Sequence, residues 1–273
     1  MKNILVPIED HRGMGSVLRT AQIAAEKFQS RIEGIGLGPD FEALLATDYG
    51  VAVTLGDQGM KRDLEKQARQ IFETFSQSPA AMSSGKISFA WNADGLSTDK
   101  KIGSLGRLYD LIVVGRPGAD AHDPRQATLE AALFESGRPI LIAPPRAPEV
   151  IGRTVVISWN ASTETARTLS DAMPFLKLAD RVIVLSVSAS LVPGPSAERL
   201  VAALKWHGLP VELRVNTDTT KPGGRTILME AAKLGADLLI KGGYTQSRLR
   251  QMIFGGATSQ ILAEADIPVF MAH

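Results

Sequence analysis

The residues best suited to chemistry lie in segment 242–258, which has a glycine pair near each end and two arginines between them. A glycine directly after a strand lets the backbone approach a ligand closely. A glycine pair at a helix start leaves unpaired N–H groups that, with the positive end of the helix dipole, favour an anion. Arg248 and Arg250 supply guanidinium groups for phosphate oxygens, and Thr258 supplies a hydroxyl. The pattern predicts a phosphate-binding loop.

A purely structural interpretation stays open, in which the glycines form a turn and the arginines are solvated. The segment overlaps the end of a repeat, since residues 237–245, DLLIKGGYT, resemble residues 110–118, DLIVVGRPG. In the first copy Gly118 keeps the opening spacing, but no glycine pair follows. Asp120 and Asp123 make that loop acidic, which disfavours a triphosphate unless the carboxylates hold Mg²⁺.

Short apolar runs alternate with amphipathic periods along the whole chain. The apolar runs indicate strands buried on both faces of a parallel sheet. They predict strands at 3–8, 31–37, 87–91, 110–114, 139–143, 154–159, 181–187, 210–215, 237–241 and 268–271. Apolar residues at helical spacing predict helices at 17–28, 57–77, 100–108, 129–134, 163–178, 197–206, 224–234 and 257–265.

The stretch from Pro144 to Pro148 separates two series of elements, because proline continues neither a helix nor a central strand. We therefore predict an N-terminal domain at 1–146 and a C-terminal domain at 151–273. Each is predicted as an α/β domain, Rossmann-like, with a five-stranded, mostly parallel sheet and helices on both faces. Ligands bind such sheets at the carboxyl ends of the strands, where segment 242–258 lies.

Composition excludes several classes of function. A net charge of +1, from 30 basic and 29 acidic residues, gives no field that attracts nucleic acid or an anionic membrane. Cysteine is absent, which excludes disulfides, thiolate metal sites and a cysteine nucleophile. No apolar stretch approaches the roughly 18 residues of a membrane span, and no export signal is visible. We expect a soluble, cytoplasmic protein without nucleic-acid or membrane partners.

Other residue types that perform chemistry are not arranged for it. The four histidines are scattered, so no metal site is predicted. Ser162 lies in no Gly-x-Ser-x-Gly elbow and is predicted to cap the helix that follows it. The tryptophans are not interleaved with basic residues, so we expect packing in the core or at its edge rather than base stacking. No catalytic residue is identified.

The spacing of the glycine segment resembles that of the universal stress protein family. Its nucleotide-binding members carry Gly, two residues, Gly, nine residues, Gly, then Ser or Thr. Here Gly242 is followed by Thr245 and then by Gly255 and Gly256. The resemblance covers nearly the whole chain in tandem form and includes the sequence WNAS at 159–162, where the family has Asp-Gly-Ser after its first strand. It implies an adenine-nucleotide-hydrolase-like fold.

Carried over residue by residue, the resemblance implies an ATP site in the C-terminal domain, with Mg²⁺ as an optional companion. Asn160 takes the place of the family's Asp near adenine or ribose, and Val187 packs on the base. The remaining implied contacts are Gly242, Thr245, Gly255, Gly256, Ala257 and Thr258, with Arg248 and Arg250 on the intervening segment. Thr245 replaces a family glycine, and Gly256 replaces Ser or Thr. In the N-terminal domain Glu9 holds the position of the Asp, and we interpret that domain as degenerate.

The resemblance also implies that the two domains pack as a pseudo-dimer. The apolar terminal strands at 139–143 and 268–272 each begin with a proline, as edge strands do. An uncovered apolar edge invites pairing, and the resemblance implies that these two strands meet. A homodimer of two chains through edge strands stays open.

Three functions are consistent with these observations. The first is a stress-response protein that binds ATP and acts as a regulatory or signalling module on an unknown protein partner. It would hydrolyse ATP slowly at most, because no residue stands out as a base for an attacking water. The second is an interaction module that binds no nucleotide. The third is an adenylating enzyme, although the chain lacks the Ser-Gly-Gly-x-Asp-Ser loop of such ligases.

Overall fold

The computed structural model describes residues 1–39, 57–83, 85–120, 122–243 and 256–273. The strands are β1 Asn3–Ile8, β2 Arg31–Gly36, β3 Ser88–Trp91, β4 Leu111–Gly115, β5 Ile140–Ala143, β6 Thr154–Trp159, β7 Arg181–Val187, β8 Val211–Asn216, β9 Leu238–Gly242 and β10 Val269–Ala272. They form one ten-stranded sheet in the order β3-β2-β1-β4-β5-β10-β9-β6-β7-β8.

The two halves of this sheet join at its centre. Neighbouring strands within each half are parallel, whereas β5 and β10 pair antiparallel, with Leu141 opposite Phe270. The predicted mostly parallel α/β fold is confirmed, and so is the meeting of the two terminal strands. The predicted five-stranded sheets form one continuous sheet, because the backbone groups of β5 and β10 satisfy each other. The outer edges of the sheet are therefore β3 and β8.

Helices cover both faces of the sheet. They are α1 Met14–Phe28, α2 Asp57–Ser76, α3 Pro79–Met82, α4 Asp99–Leu105, α5 Gln126–Glu135, α6 Thr163–Leu176, α7 Ala197–Trp206, α8 Gly223–Lys233 and α9 Ala257–Glu264. Apolar side chains of α1, α2, α6 and α7 share a core with one face, and those of α4, α5, α8 and α9 with the other. Among the described helices none is both long and apolar enough to cross a membrane.

Most predicted elements are present, with ends that differ by a few residues. The helix predicted at 129–134 begins at Gln126, and the one predicted at 100–108 ends in a 3₁₀ turn, Gly106–Leu108. The short helix α3 was not predicted; Ser78 caps it, with Pro79 as its first residue. Strand β9 includes Gly242, which the sequence placed at the start of a loop.

The aspartate that opens the repeated segment has the same structural role in both halves. Asp110 accepts a hydrogen bond from the backbone N–H of Asn3 at 3.1 Å. Asp237 accepts from the N–H groups of Gly152 at 2.6 Å and Thr154 at 3.1 Å. Each carboxylate thus ties the start of the fourth strand of its half to the start of the first. The repeated aspartate is explained by the fold and needs no ligand.

The stretch between β5 and β6 packs onto the first half. Ser16 Oγ donates to the carbonyl of Pro144 at 2.6 Å, and Lys27 Nζ donates to the carbonyl of Gly152 at 3.0 Å. Ile151 is completely buried in the core shared with α1 and α6. The boundary predicted between 146 and 151 falls in this stretch and stays a prediction.

Gly242 lies at a close contact between β9 and the first turn of α6. A Cβ placed on Gly242 would lie 2.5 Å from the backbone N of Thr165 and 2.6 Å from its Oγ1. Real Cβ atoms do not approach other atoms so closely, so only glycine fits this position. The first glycine of the predicted motif is therefore required by packing, whatever it contributes to a ligand.

Gly242→Ala should lower the free energy of unfolding by roughly 1–3 kcal/mol, because the added methyl group separates β9 from α6. Gly15→Ala is the control: a Cβ there meets nothing within 4 Å, and alanine in α1 should leave stability unchanged or raise it by up to about 1 kcal/mol. Urea denaturation measures both. Equal midpoints for Gly242→Ala and the wild type would contradict the close contact.

Candidate functional site

Three predicted site residues lie at the ends of neighbouring strands in the second half. Trp159 pairs with Ser186. Asn160, the first residue after β6, therefore lies beside Val187, the last residue of β7. Gly242 ends β9, which lies on the other side of β6. Because these strands are parallel, their ends share the carboxyl edge, which is where sheets of this type bind ligands.

The buried side chain of Asn160 has its oxygen committed to the protein. Oδ1 accepts hydrogen bonds from Ser162 N at 3.2 Å and from Thr165 Oγ1 at 2.6 Å. Since a backbone N–H only donates, this contact assigns the oxygen to that side of the amide. No described residue accepts from Nδ2, which leaves this group to donate to a ligand. Asn160 therefore offers a donor where the family's aspartate offers acceptors.

The turn after Asn160 is held in place by a cap and by the segment that follows β7. Ser162 Oγ accepts from the N–H of Thr165 at 3.2 Å, which confirms its predicted capping role. Val192 N donates to the carbonyl of Asn160 at 3.0 Å. Gly194 packs so closely on the turn that a Cβ there would lie 2.4 Å from the carbonyl oxygen of Ala161. The polar end of Asn160 is consequently fixed before any ligand arrives.

Val187, predicted to pack on the base, is only 1% exposed in the structure. It lies in the core on the face of the sheet that carries α8 and α9. The 3₁₀ turn Ser188–Ser190 follows it directly. Val187 therefore belongs to the floor of this edge, and its contact with a base stays a prediction.

The start of α9 has the properties expected of an anion site. Gly256 is its N-cap, with extended backbone at φ −87° and ψ 173°, and no side chain caps the helix. The first turn contains no acidic residue. Ala257 is partly exposed and Thr258 is buried. The N–H groups of this turn lack intrahelical acceptors and add the positive end of the helix dipole.

Four predicted contacts belong to a part of the chain that the structure does not describe. Thr245, Arg248, Arg250 and Gly255 lie outside the described residues. Their roles in phosphate binding stay predictions.

Lys241 is a residue of this edge that the sequence reasoning missed. It is the last residue but one of β9, is only 3% exposed, and donates from Nζ to the carbonyl of Gly242 at 2.7 Å. Burial lowers the pKa of its amine to about 8, against an attraction to Glu164 that raises it. A lysine at the end of the otherwise apolar run LLI was the signal in the sequence.

In the first half an arginine occupies the helix start that corresponds to α9. Arg125 is the N-cap of α5, and its Nε lies 2.9 Å from Glu9 Oε1. Its Nη2 lies 3.3 Å from Asp99 Oδ1, which also accepts from Thr128 Oγ1 at 2.8 Å. Burial raises the pKa of Glu9, and Arg125 opposes this effect. The cavity left beside these residues is about 20 Å³, room for about one water.

In the described part of the acidic loop of the first half, both aspartates contact other groups of the protein. Asp120 N donates to Asp123 Oδ2 at 3.1 Å, and Arg12 lies 3.5 Å from Asp120. Across the described residues no group of three potential ligands is placed to hold a metal ion. A cavity of about 240 Å³ lies nearby, lined by both signs of charge, including Arg116 and Asp123.

The fold and the candidate site define an α/β protein with two similar halves and, at α9 of the second half, an uncapped helix start compatible with an anion. Residues 154–273 match the Universal stress protein family, so the C-terminal half of the chain contains a domain of this family. This match supports a role in the stress response. None of the curated proteins matches the chain.

Solved structures show the same fold over the whole chain. A universal stress protein from Archaeoglobus fulgidus DSM 4304 has a TM-score of 0.73 at 15% identity, covering 99% of this chain and 95% of its own. A protein from Pseudomonas aeruginosa UCBPP-PA14, provisionally assigned as a universal stress protein, has a TM-score of 0.55 at 18% identity, covering 100% and 93%. A functionally unknown protein from Pseudomonas aeruginosa PAO1 has a TM-score of 0.54 at 16% identity, covering 100% and 92%.

Arg125→Ala should lower the free energy of unfolding at pH 7 by roughly 1–2 kcal/mol, because Glu9 and Asp99 lose their partner in a partly buried place. The loss should shrink as the pH falls from 7 to 4, since burial raises the pKa of Glu9 and a protonated Glu9 needs no cation. The control is Arg12→Ala, whose side chain is 68% exposed and should change stability by less than about 0.5 kcal/mol. Urea denaturation across this pH range measures both, and a pH-independent loss would argue against the ion-pair network.

Lys241→Met should raise the free energy of unfolding by roughly 1–3 kcal/mol at pH 7. The folded protein holds this proton with a pKa of about 8, below the ordinary 10.5, so burying the charged amine has its full cost below pH 8. The gain should fade between pH 8 and 10.5, where the unfolded chain also releases the proton. Lys233→Met, on an exposed lysine of α8, is the control. Destabilisation at pH 7 would contradict an uncompensated buried charge.

Proposed function

We propose that this protein is a stress-response protein that binds an adenine nucleotide, ATP, at the carboxyl edge of its second half and acts as a regulatory module. The observation that carries the proposal is the uncapped start of α9 at Gly256, in the region that matches the Universal stress protein family. The resemblance in glycine spacing implies phosphate contacts at this point. Phosphate oxygens would accept from the N–H groups of Gly256, Ala257 and Thr258.

Further contacts follow from the chemistry of the edge. Asn160 Nδ2 would donate to an acceptor on the base or ribose, since Oδ1 is committed to Ser162 and Thr165. Thr245, Arg248, Arg250 and Gly255 would complete the phosphate contacts, and Mg²⁺ would neutralise charge between phosphate groups. The role assigned to the nucleotide is a change of shape or partner choice, with an unidentified cytoplasmic protein as partner.

One observation favours a second candidate, an interaction module without nucleotide. The first half has the same fold, yet Arg125, Glu9 and Asp99 fill the place where a nucleotide would bind. One abandoned site makes a second one physically reasonable. Native mass spectrometry of freshly purified protein separates the two candidates, because a co-purified nucleotide would count against the interaction module.

Gly256→Asp and Gly256→Ser test the ATP site as a matched pair. The extended backbone of Gly256 accepts either residue, and both side chains can cap α9 and stabilise it by about 0.3 kcal/mol relative to glycine. The aspartate, however, uses the free N–H groups and repels phosphate. We expect ATP affinity to fall about tenfold or more in Gly256→Asp, a change of about 1.4 kcal/mol per tenfold, and to persist in Gly256→Ser.

Isothermal titration calorimetry with ATP measures the three affinities, and thermal denaturation checks that both variants are folded. Equal affinity in all three proteins would place the ligand away from α9. No binding by the wild type would reject the ATP site and leave the interaction module.

A further inference from the structure

Lys241 is a buried amine that the fold alone does not explain. Its neighbours on the sheet are Ser158 of β6 and Met271 of β10, which lie in register with it. Among the described groups, the carbonyl of Gly242 accepts a hydrogen bond from Nζ. No described carboxylate forms an ion pair with it. Glu164 attracts it across a longer distance.

Such an arrangement is costly for folding. Lysine is almost never fully buried unless it is paired, and an unpaired buried charge destabilises the folded state. An apolar residue such as methionine would pack between Ser158 and Met271 without that cost. Buried ionisable groups kept in spite of such a cost are found mostly at functional sites.

The position of Lys241 indicates what its charge could serve. It lies at the carboxyl edge of β9, and Nζ is 2.7 Å from the carbonyl oxygen of Gly242, the first predicted phosphate contact. Asn160 stands at the end of the adjacent strand and also presents a donor. An ammonium group has three N–H donors, so its bond to Gly242 leaves it further capacity.

We propose that Lys241 is a binding residue of the nucleotide site. The protein binds the phosphate chain of the nucleotide while the amine of Lys241 is protonated. The inference rests on the ATP site proposed above and extends it by one charged residue and a proton. The ligand supplies the negative charge that the described protein lacks near Nζ. Phosphate binding therefore raises the affinity of Lys241 for its proton.

The charged groups on the elements packed against β9 do not supply that charge themselves. Neither β6 nor β10 carries a charged residue. Helix α6 carries Glu164, Arg167 and Asp171. The helices on the other face, α5, α8 and α9, carry Glu130, Glu135, Arg225, Glu230, Lys233 and Glu264. Of all these groups only Glu164 acts on the pKa of Lys241. Among the described residues of this edge, Lys241 is thus a group whose proton can respond to an anion near pH 8.

The test compares the wild type with Lys241→Met and Lys241→Gln, and uses Lys233→Met as the surface control. ATP and inorganic tripolyphosphate are titrated by calorimetry at pH 7.5, 8.5 and 9.5, in buffers with different ionisation enthalpies. We expect wild-type affinity to fall as the pH rises, and proton uptake on binding at pH 8.5. Both Lys241 variants should bind about tenfold more weakly at pH 7.5, without proton uptake, while Lys233→Met behaves as the wild type.

The outcomes separate the two proposals. Wild-type binding that persists unchanged in both Lys241 variants, with the same proton uptake, would overturn the role of Lys241 and leave the ATP site intact. Absence of binding by the wild type to either probe would overturn both. A Lys241→Met protein that is more stable, binds weakly and takes up no proton would support the inference, because a residue with only a structural role would not change proton uptake.

Discussion

The antiparallel pairing of β5 with β10 is the interaction on which the rest of the structure depends. Both strands are buried along their whole length and apolar on both faces. Either strand alone would expose an apolar edge with unpaired backbone groups. Their pairing closes both edges and leaves β3 and β8 at the outside. Since the pairing is antiparallel, the strands of the two halves run in opposite directions. Their carboxyl ends, which form the carboxyl edge of each half, therefore lie on opposite sides of the sheet along the strand direction.

Helix α9 crosses the sheet between these two edges. It starts at Gly256, at the carboxyl edge of the second half, and its other end meets Arg116, which follows β4 of the first half. Arg116 Nη1 donates to the carbonyl of Ala263 at 2.6 Å. The last carbonyls of a helix lack intrahelical donors, and a cation there complements the helix dipole. The first half therefore helps to hold the helix whose start is the candidate site.

The sequence predicts features that depend on local patterns and misses those that depend on neighbours in space. Ser162 is recognisable as a cap because the helix follows it directly. Gly242 is recognisable as special, but the contact with Thr165 that requires glycine comes from a distant helix. Trp206 was expected to pack but is 92% exposed on α7. The expectation was wrong because the local sequence does not show which side of α7 faces solvent. No local pattern singles out Arg125, and only the fold places it between two carboxylates.

The two halves show how a duplicated fold can differ in how well its two carboxyl edges suit an anion. Backbone geometry is shared, since both α5 and α9 start at a carboxyl edge with free N–H groups. At the N-cap, however, the first half has Arg125, whose charge requires Glu9 and Asp99 beside it. The second half has glycine at the N-cap, an amide at position 160 and a buried amine at position 241. A phosphate group would meet carboxylates at the first edge and donors at the second. A preference of an anion for the second edge would therefore come from a few side chains, because the helix dipoles favour both edges equally.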